Sequence, residues 1–302
     1  MSTEETKAPA TKKSPLLVSI LLVVVAGSFN YVGTGILTPA LKVVGGPEVA
    51  WMRLTITAVV LLIWRHPLTK HWSKDSIKWL VLFAISIGTM YTSYNISVNN
   101  LPMGVAVPIQ FLGPVAVGAI TGKNWKQRIA IIVAALGVTL LAGLSLAGGN
   151  SSTAVVGVVA SLVAACAWAG YIVFGNKMAH SGSLDALALA ITLAAVVMAP
   201  FFAAPAIQQV STDPGELLWR IVVFALFASV IAAVLDQVML KMIEPNVFSV
   251  LLALYPAISL VIGVFFGQIP TVLEVVGLLV VSASIVLTAL DDASGSEKQA
   301  SK

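Results

Sequence analysis

Residues 101–120 read LPMGVAVPIQFLGPVAVGAI. The stretch carries no charge and is apolar enough to cross a bilayer, which takes about 20 such residues. Yet it holds Pro108, Pro114, Gly104, Gly113 and Gly118, with Gln110 between the last two prolines. Proline removes a backbone N–H and clashes with the preceding turn. In lipid a freed carbonyl must find a partner, so such a break is tolerated where it faces protein or a water-filled cavity. The stretch therefore reads as a bent transmembrane helix beside a polar interior.

The rest of the chain agrees. Of 302 residues, 58% are hydrophobic and only 10% are charged. Soluble domains are typically about 25% charged, so this chain belongs in a bilayer. Ten apolar runs fit as spans: 16–38, 48–65, 77–99, 103–121, 127–147, 154–177, 184–204, 217–240, 246–266 and 271–290. The fold class expected is an all-α integral membrane protein of ten transmembrane helices. Residues 1–14 and 291–302 read as polar tails. The first apolar run is too long for a signal-peptide core and lacks an obvious small-residue cleavage site, so it is expected to be the first retained span.

Charge orients the spans. Lys7, Lys12 and Lys13 precede the first run. Arg65, Lys70, Lys74 and Lys78 fall in or beside the second connection, and Lys123, Lys126 and Arg128 around the fourth. Lys177 and Lys241 follow the sixth and eighth runs, and Lys298 and Lys302 lie in the last tail. Only Lys42 and Arg220 fall on the other side. The bias places both termini in the cytoplasm, with bacterial inner membrane as the expected location. The net charge of +4 is thus a topology signal, and no nucleic-acid partner is expected.

A repeat lies inside the chain. Residues 243–262, IEPNVFSVLLALYPAISLVI, align with 101–120 without a gap, setting Pro114 on Pro256 and Leu112 on Leu254. Tyr31 likewise falls on Tyr171 and Gly35 on Gly175. Five spans per half make the second half, 149–290, enter the membrane opposite to the first, 15–148. Inverted repeats are a signature of secondary transporters. The prolines at 114 and 256 are expected to bend paired helices beside a central cavity.

Few residues could carry chemistry there. Ionisable groups within spans are costly and functional by default. Asp236 could take a proton, hold an ammonium group, or pair with Lys241. Arg53 could orient a substrate carboxylate, form a structural ion pair, or snorkel to the headgroups. Among neutral groups, Asn30 and Tyr31 lie in the first run, and Tyr91, Tyr94, Asn95 and Asn99 in the third. Tyr91, Asn95 and Asn99 form one stripe at spacings of four. The Gln110 amide can donate and accept, so it could serve either the freed carbonyl or a substrate. Trp168, Tyr171 and Tyr255 could wall the cavity or simply pack. The one cysteine, Cys166, excludes a disulfide within the chain, and the three histidines sit in polar connections. No nucleophile motif, metal spacing or phosphate loop stands out, so no enzyme, cofactor or metal is expected.

The run SIGTMYTSYNISVNNLPMGVAVPIQFLGPVAV (86–117), WMRLTIT (51–57), AWAGYIV (167–173) and LYPAISLVIG (254–263) together resemble the EamA-like drug/metabolite transporters. Within them the threonine/homoserine exporter branch is the most similar. The resemblance spans about residues 15 to 290 and implies ten helices, a central cavity and export of small metabolites, with protons as candidate coupling ions. It includes an arginine at position 53 and a carboxylate at Asp236. It departs where those exporters carry two glutamates: Gln110 and Tyr255 stand there instead. The expected function is alternating-access export of amino acids of the threonine/homoserine kind, by a chain that can act as a monomer. Other cargo (cationic drugs, nucleotide or sugar derivatives) and a non-transporting receptor or assembly subunit are the alternatives.

Overall fold

The computed structural model describes residues 15–67, 74–121, 129, 132–140, 151–179, 183–232, 235, 251–252 and 254–283. Among these there is no strand. The helices are α1 (Pro15–Val44), α2 (Gly46–Arg65), α3 (Lys74–Asn100), α4 (Met103–Gln110), α5 (Leu112–Thr121), α6 (Ser151–Ala179), α7 (Ser183–Val210), α8 (Pro214–Ala225) and α9 (Leu254–Phe265), with α10 at Val272–Ala283. Residues 132–140 are helical as well. Six of the helices are long and apolar enough to cross a membrane: α1, α2, α3, α6, α7, and α8 with its extension to Ile231.

The connections are short and chemically marked. Gly45 alone joins α1 to α2 at φ 85, a conformation that favours glycine, and Pro47 sits in the first turn of α2. His66 closes α2 in the left-handed region, its N–H donating to the Leu62 carbonyl at 3.0 Å. Asp213 caps α8 by accepting from the Glu216 N–H at 3.2 Å. α1 runs on through Pro39 to Val44, past the expected end at 38. One proline removes one hydrogen bond, and the surrounding helices hold the rest of the ladder.

The opening stretch is two helices, α4 and α5, interrupted at Phe111. Pro114 explains the position: its ring crowds the carbonyl four residues back, Gln110, and supplies no N–H to it. The Phe111 N–H instead donates to the Pro108 carbonyl at 3.2 Å, which tightens the turn. Pro256 lies in the first turn of α9, and most of the chain just before it falls outside the described residues. α8 has its own irregularity, passing into a π-helical turn over Leu226–Ile231.

α3 packs along α6, α2 along α7, α4 on α9, and α1 on α8 and α9; α4 and α5 also lie on α6. Apolar side chains such as Ile63, Val197, Phe201, Ile207 and Phe265 are exposed on the outside, as a lipid-facing surface requires. Polar groups turn inward: Thr34, Arg53, Thr57, Asn95, Ser97, Ser161 and Ser229 are all buried. The bundle is apolar outside and polar at chosen points within.

Candidate functional site

A cavity of about 150 Å³ lies at the centre, lined from α1, α2, α3, α4, α6, α7, the π turn and α9. Asn30, Tyr31, Arg53, Tyr91, Tyr94, Gln110, Trp168, Tyr171 and Tyr255 all reach it, so nine residues singled out from the sequence meet in one place. Arg53, Gln110 and Tyr255 among them are buried, so the site sits inside the bundle.

Arg53 is its only fixed charge among the described lining residues. It is 3% exposed, so it does not snorkel, and no carboxylate among the described residues pairs with it. Neutral groups hold it instead. Nε donates to Ser229 Oγ, and Nη2 donates to the Ala228 carbonyl at 2.7 Å. Both acceptors belong to the π turn Leu226–Ile231, a kind of irregularity frequent at functional sites. The guanidinium carbon lies 3.8 Å from the Tyr91 ring centroid and 4.5 Å from that of Phe224. Two ring faces thus provide cation–π attraction to the buried guanidinium.

Gln110 ends α4 at the interruption. It is 5% exposed, and its Nε2 has no hydrogen-bond partner. The amide N–H₂ therefore does not serve the carbonyl freed by Pro114. Across the cavity, Thr34 Oγ1 donates to the Asn30 carbonyl at 2.9 Å and lies 2.8 Å from the Tyr94 hydroxyl. With the threonine proton spent on Asn30, Tyr94 is the donor of that pair, and its oxygen keeps lone pairs to offer. Aromatic rings form the apolar wall: Phe111 meets Trp168 edge-on at 4.8 Å and Tyr255 at 6.3 Å, and Tyr255 meets Tyr31 at 6.1 Å.

Two expected residues do not join this set. Asn95 is fully buried but lies away from the cavity; its Nδ2 donates to the Gly46 carbonyl at a long 3.4 Å and its Oδ1 has no partner. Asn99 Oδ1 is likewise unpartnered. Asp236 lies outside the described residues, as do 233 and 234 before it. Ser229, Met90 and Leu187 line the cavity without having been singled out. A serine in an apolar run can satisfy itself on its own helix, so Ser229 gives no warning. Among the described residues no cluster of three or more His, Cys, Asp or Glu could hold a metal.

The molecule is thus a multi-pass membrane protein built around a polar, partly aromatic chamber. Residues 155–290 match the model of the EamA-like transporter family. The chain is homologous over most of its length to known exporters. It is 26% identical over 282 residues to the threonine/homoserine exporter RhtA of Salmonella typhimurium (strain SL1344), covering 91% of this chain and 92% of that one. It is 25% identical, over the same shares, to RhtA of Escherichia coli (strain K12). A solved crystal structure matches with a TM-score of 0.58 at 16% identity, covering 90% of this chain and 97% of that one; that likeness is one of fold.

Proposed function

We propose that this protein is a secondary transporter that exports small amino acids of the threonine/homoserine kind across the inner membrane by alternating access. The observation that carries the reading is the central cavity. It gathers a fixed cation, a free amide donor and hydroxyl acceptors inside an apolar bundle, where each polar group costs free energy unless it is used.

The packing supports two inverted five-helix repeats, 15–148 and 149–290, and the Lys/Arg bias of the sequence supports polar tails at 1–14 and 291–302 in the cytoplasm. Counting the bent α4–α5 pair as one span, advancing both members of each of the largest contacts by five spans gives another observed contact. The α3–α6 pair becomes α8–α1, α4–α6 becomes α9–α1, and α2–α7 and α4–α9 map onto themselves. A bundle with such exchange symmetry has two conformations of similar energy, related by swapping the roles of the halves. Because the symmetry lies within one chain, a monomer suffices. Protons are the coupling ion in this reading, carried by Asp236. Cationic drugs fit less well, since no described cavity-lining residue is acidic.

The test is counterflow in proteoliposomes with radiolabelled L-threonine and L-homoserine, with and without an imposed pH gradient. Exchange above protein-free vesicles, accelerated by the gradient and lost in Asp236→Asn, is the expected result. No exchange for any amino acid in a broad panel overturns the reading.

A further inference from the structure

We infer that Arg53 and Gln110 form the carboxylate-binding end of this cavity, so that a free carboxylate is the group by which cargo is selected. The inference rests on the cavity being the cargo site. Arg53 is buried, faces no acid among the described residues, and is held by Ser229 Oγ, the Ala228 carbonyl and two ring faces. These contacts fix the guanidinium's direction without neutralising it. They occupy Nε and Nη2, and Nη1 donates to no described protein group. A buried cation with no counter-ion draws an anion strongly, because the alternative is an uncompensated charge in a medium of low dielectric constant.

Gln110 supplies the second donor. Its Nε2 is buried and unpartnered, a state that costs free energy in the empty protein and is relieved by an acceptor. Both residues line the same cavity, and a carboxylate has two oxygens with about four lone-pair sites to share between them. The π turn at Leu226–Ile231 is the positioning device: it presents the Ala228 carbonyl and Ser229 to α2. A carboxamide or ester of the same amino acid keeps the size and the amine but loses the anion, so it forfeits the pairing. Amines lacking the carboxylate are excluded for the same reason.

The deciding experiment compares L-threonine with L-threoninamide in proteoliposome counterflow, for the wild type, Arg53→Gln and Gln110→Leu. The wild type is expected to favour the acid by about thirtyfold, the range of a charge-assisted hydrogen bond. Arg53→Gln is expected to collapse that preference to within about threefold. Arg53 also ties α2 to the π turn, so that variant can lose its fold. Gln110→Leu guards against this, because it removes an orphaned donor and no protein contact of Nε2. It is expected to stay as heat-stable as the wild type and to lower the preference about threefold. Equal wild-type exchange of acid and amide overturns the carboxylate assignment while leaving transport standing. So does an unchanged preference in Gln110→Leu together with Arg53→Gln, or in Gln110→Leu alone if Arg53→Gln does not fold. Exchange of neither compound removes the cargo site itself, and the inference with it.

Discussion

The Tyr94 hydroxyl lies 2.8 Å from Thr34 Oγ1, whose proton is already given to the Asn30 carbonyl at 2.9 Å. This relay between α3 and α1 leaves the tyrosine oxygen facing the cavity as an acceptor, opposite in character to the donors Arg53 and Gln110. Tyr94→Phe removes the acceptor while Thr34 keeps its bond to Asn30. The substrate KM for L-threonine in proteoliposomes should rise about fivefold, with a loss of about 1 kcal/mol in stability from one neutral hydrogen bond. An unchanged KM would take Tyr94 out of cargo recognition.

The interruption in the opening stretch makes a second point. A Cβ added at Gly113 would run into the backbone carbonyl of Ala165 and come within 3.2 Å of the Ala169 nitrogen on α6. Backbone cannot swing aside as a side chain can. Gly113→Ala should therefore cost about 2 kcal/mol or more, seen as a lower melting temperature in detergent. Gly88 is the control: a Cβ there meets only the Met198 sulfur at 3.5 Å and the Ala194 Cβ at 3.6 Å. Gly88→Ala should melt within about 1 °C of the wild type or above it, since the helix gains an alanine. Equal effects at the two sites would contradict this packing.

Asn95 offers a prediction of the opposite sign. Its Oδ1 is buried without a partner, and its one hydrogen bond, to Gly46, is long. A Cβ at Gly46 would lie 2.9 Å from the Ile96 nitrogen and 3.2 Å from the Asn95 carbonyl carbon, so α2 presses closely on α3 here. Asn95→Leu exchanges an orphaned amide for an apolar group of similar volume, which can be neutral or stabilising. The melting temperature should hold or rise by about 2 °C. Turnover should fall, because an amide that is costly in this conformation becomes useful when the α2–α3 contact opens to water. A marked drop in melting temperature would show that the amide is better satisfied than its geometry indicates.

How much of this could be read from residues alone follows from cost. Asn30, Tyr94, Gln110 and Arg53 stand out because polar groups in apolar runs need a reason. Pro114 marks the interruption because its effect on the carbonyl four residues back is fixed by its ring. The helical stripe was less reliable. Tyr91 faces the cavity with Tyr94, while Asn95, about 100° further round the helix from Tyr94, turns away from it. The holders of Arg53 were not legible at all. The segment LFASVI, 226–231, has nothing in its composition that demands a π turn. A lone serine does not announce a guanidinium 176 positions away in sequence. Long-range pairing of this kind exists only once the helices are assembled.

Alternating access is tested most directly at Val107, which lines the cavity and is 3% exposed. Val107→Cys, in a background where the exposed Cys166 is serine, would be treated with a membrane-impermeant thiol reagent from each side of the bilayer in turn. The cavity should react from both sides, and L-threonine should slow both reactions. Reaction from one side only, or from neither, with cargo making no difference, would contradict a chamber that opens to each face in turn.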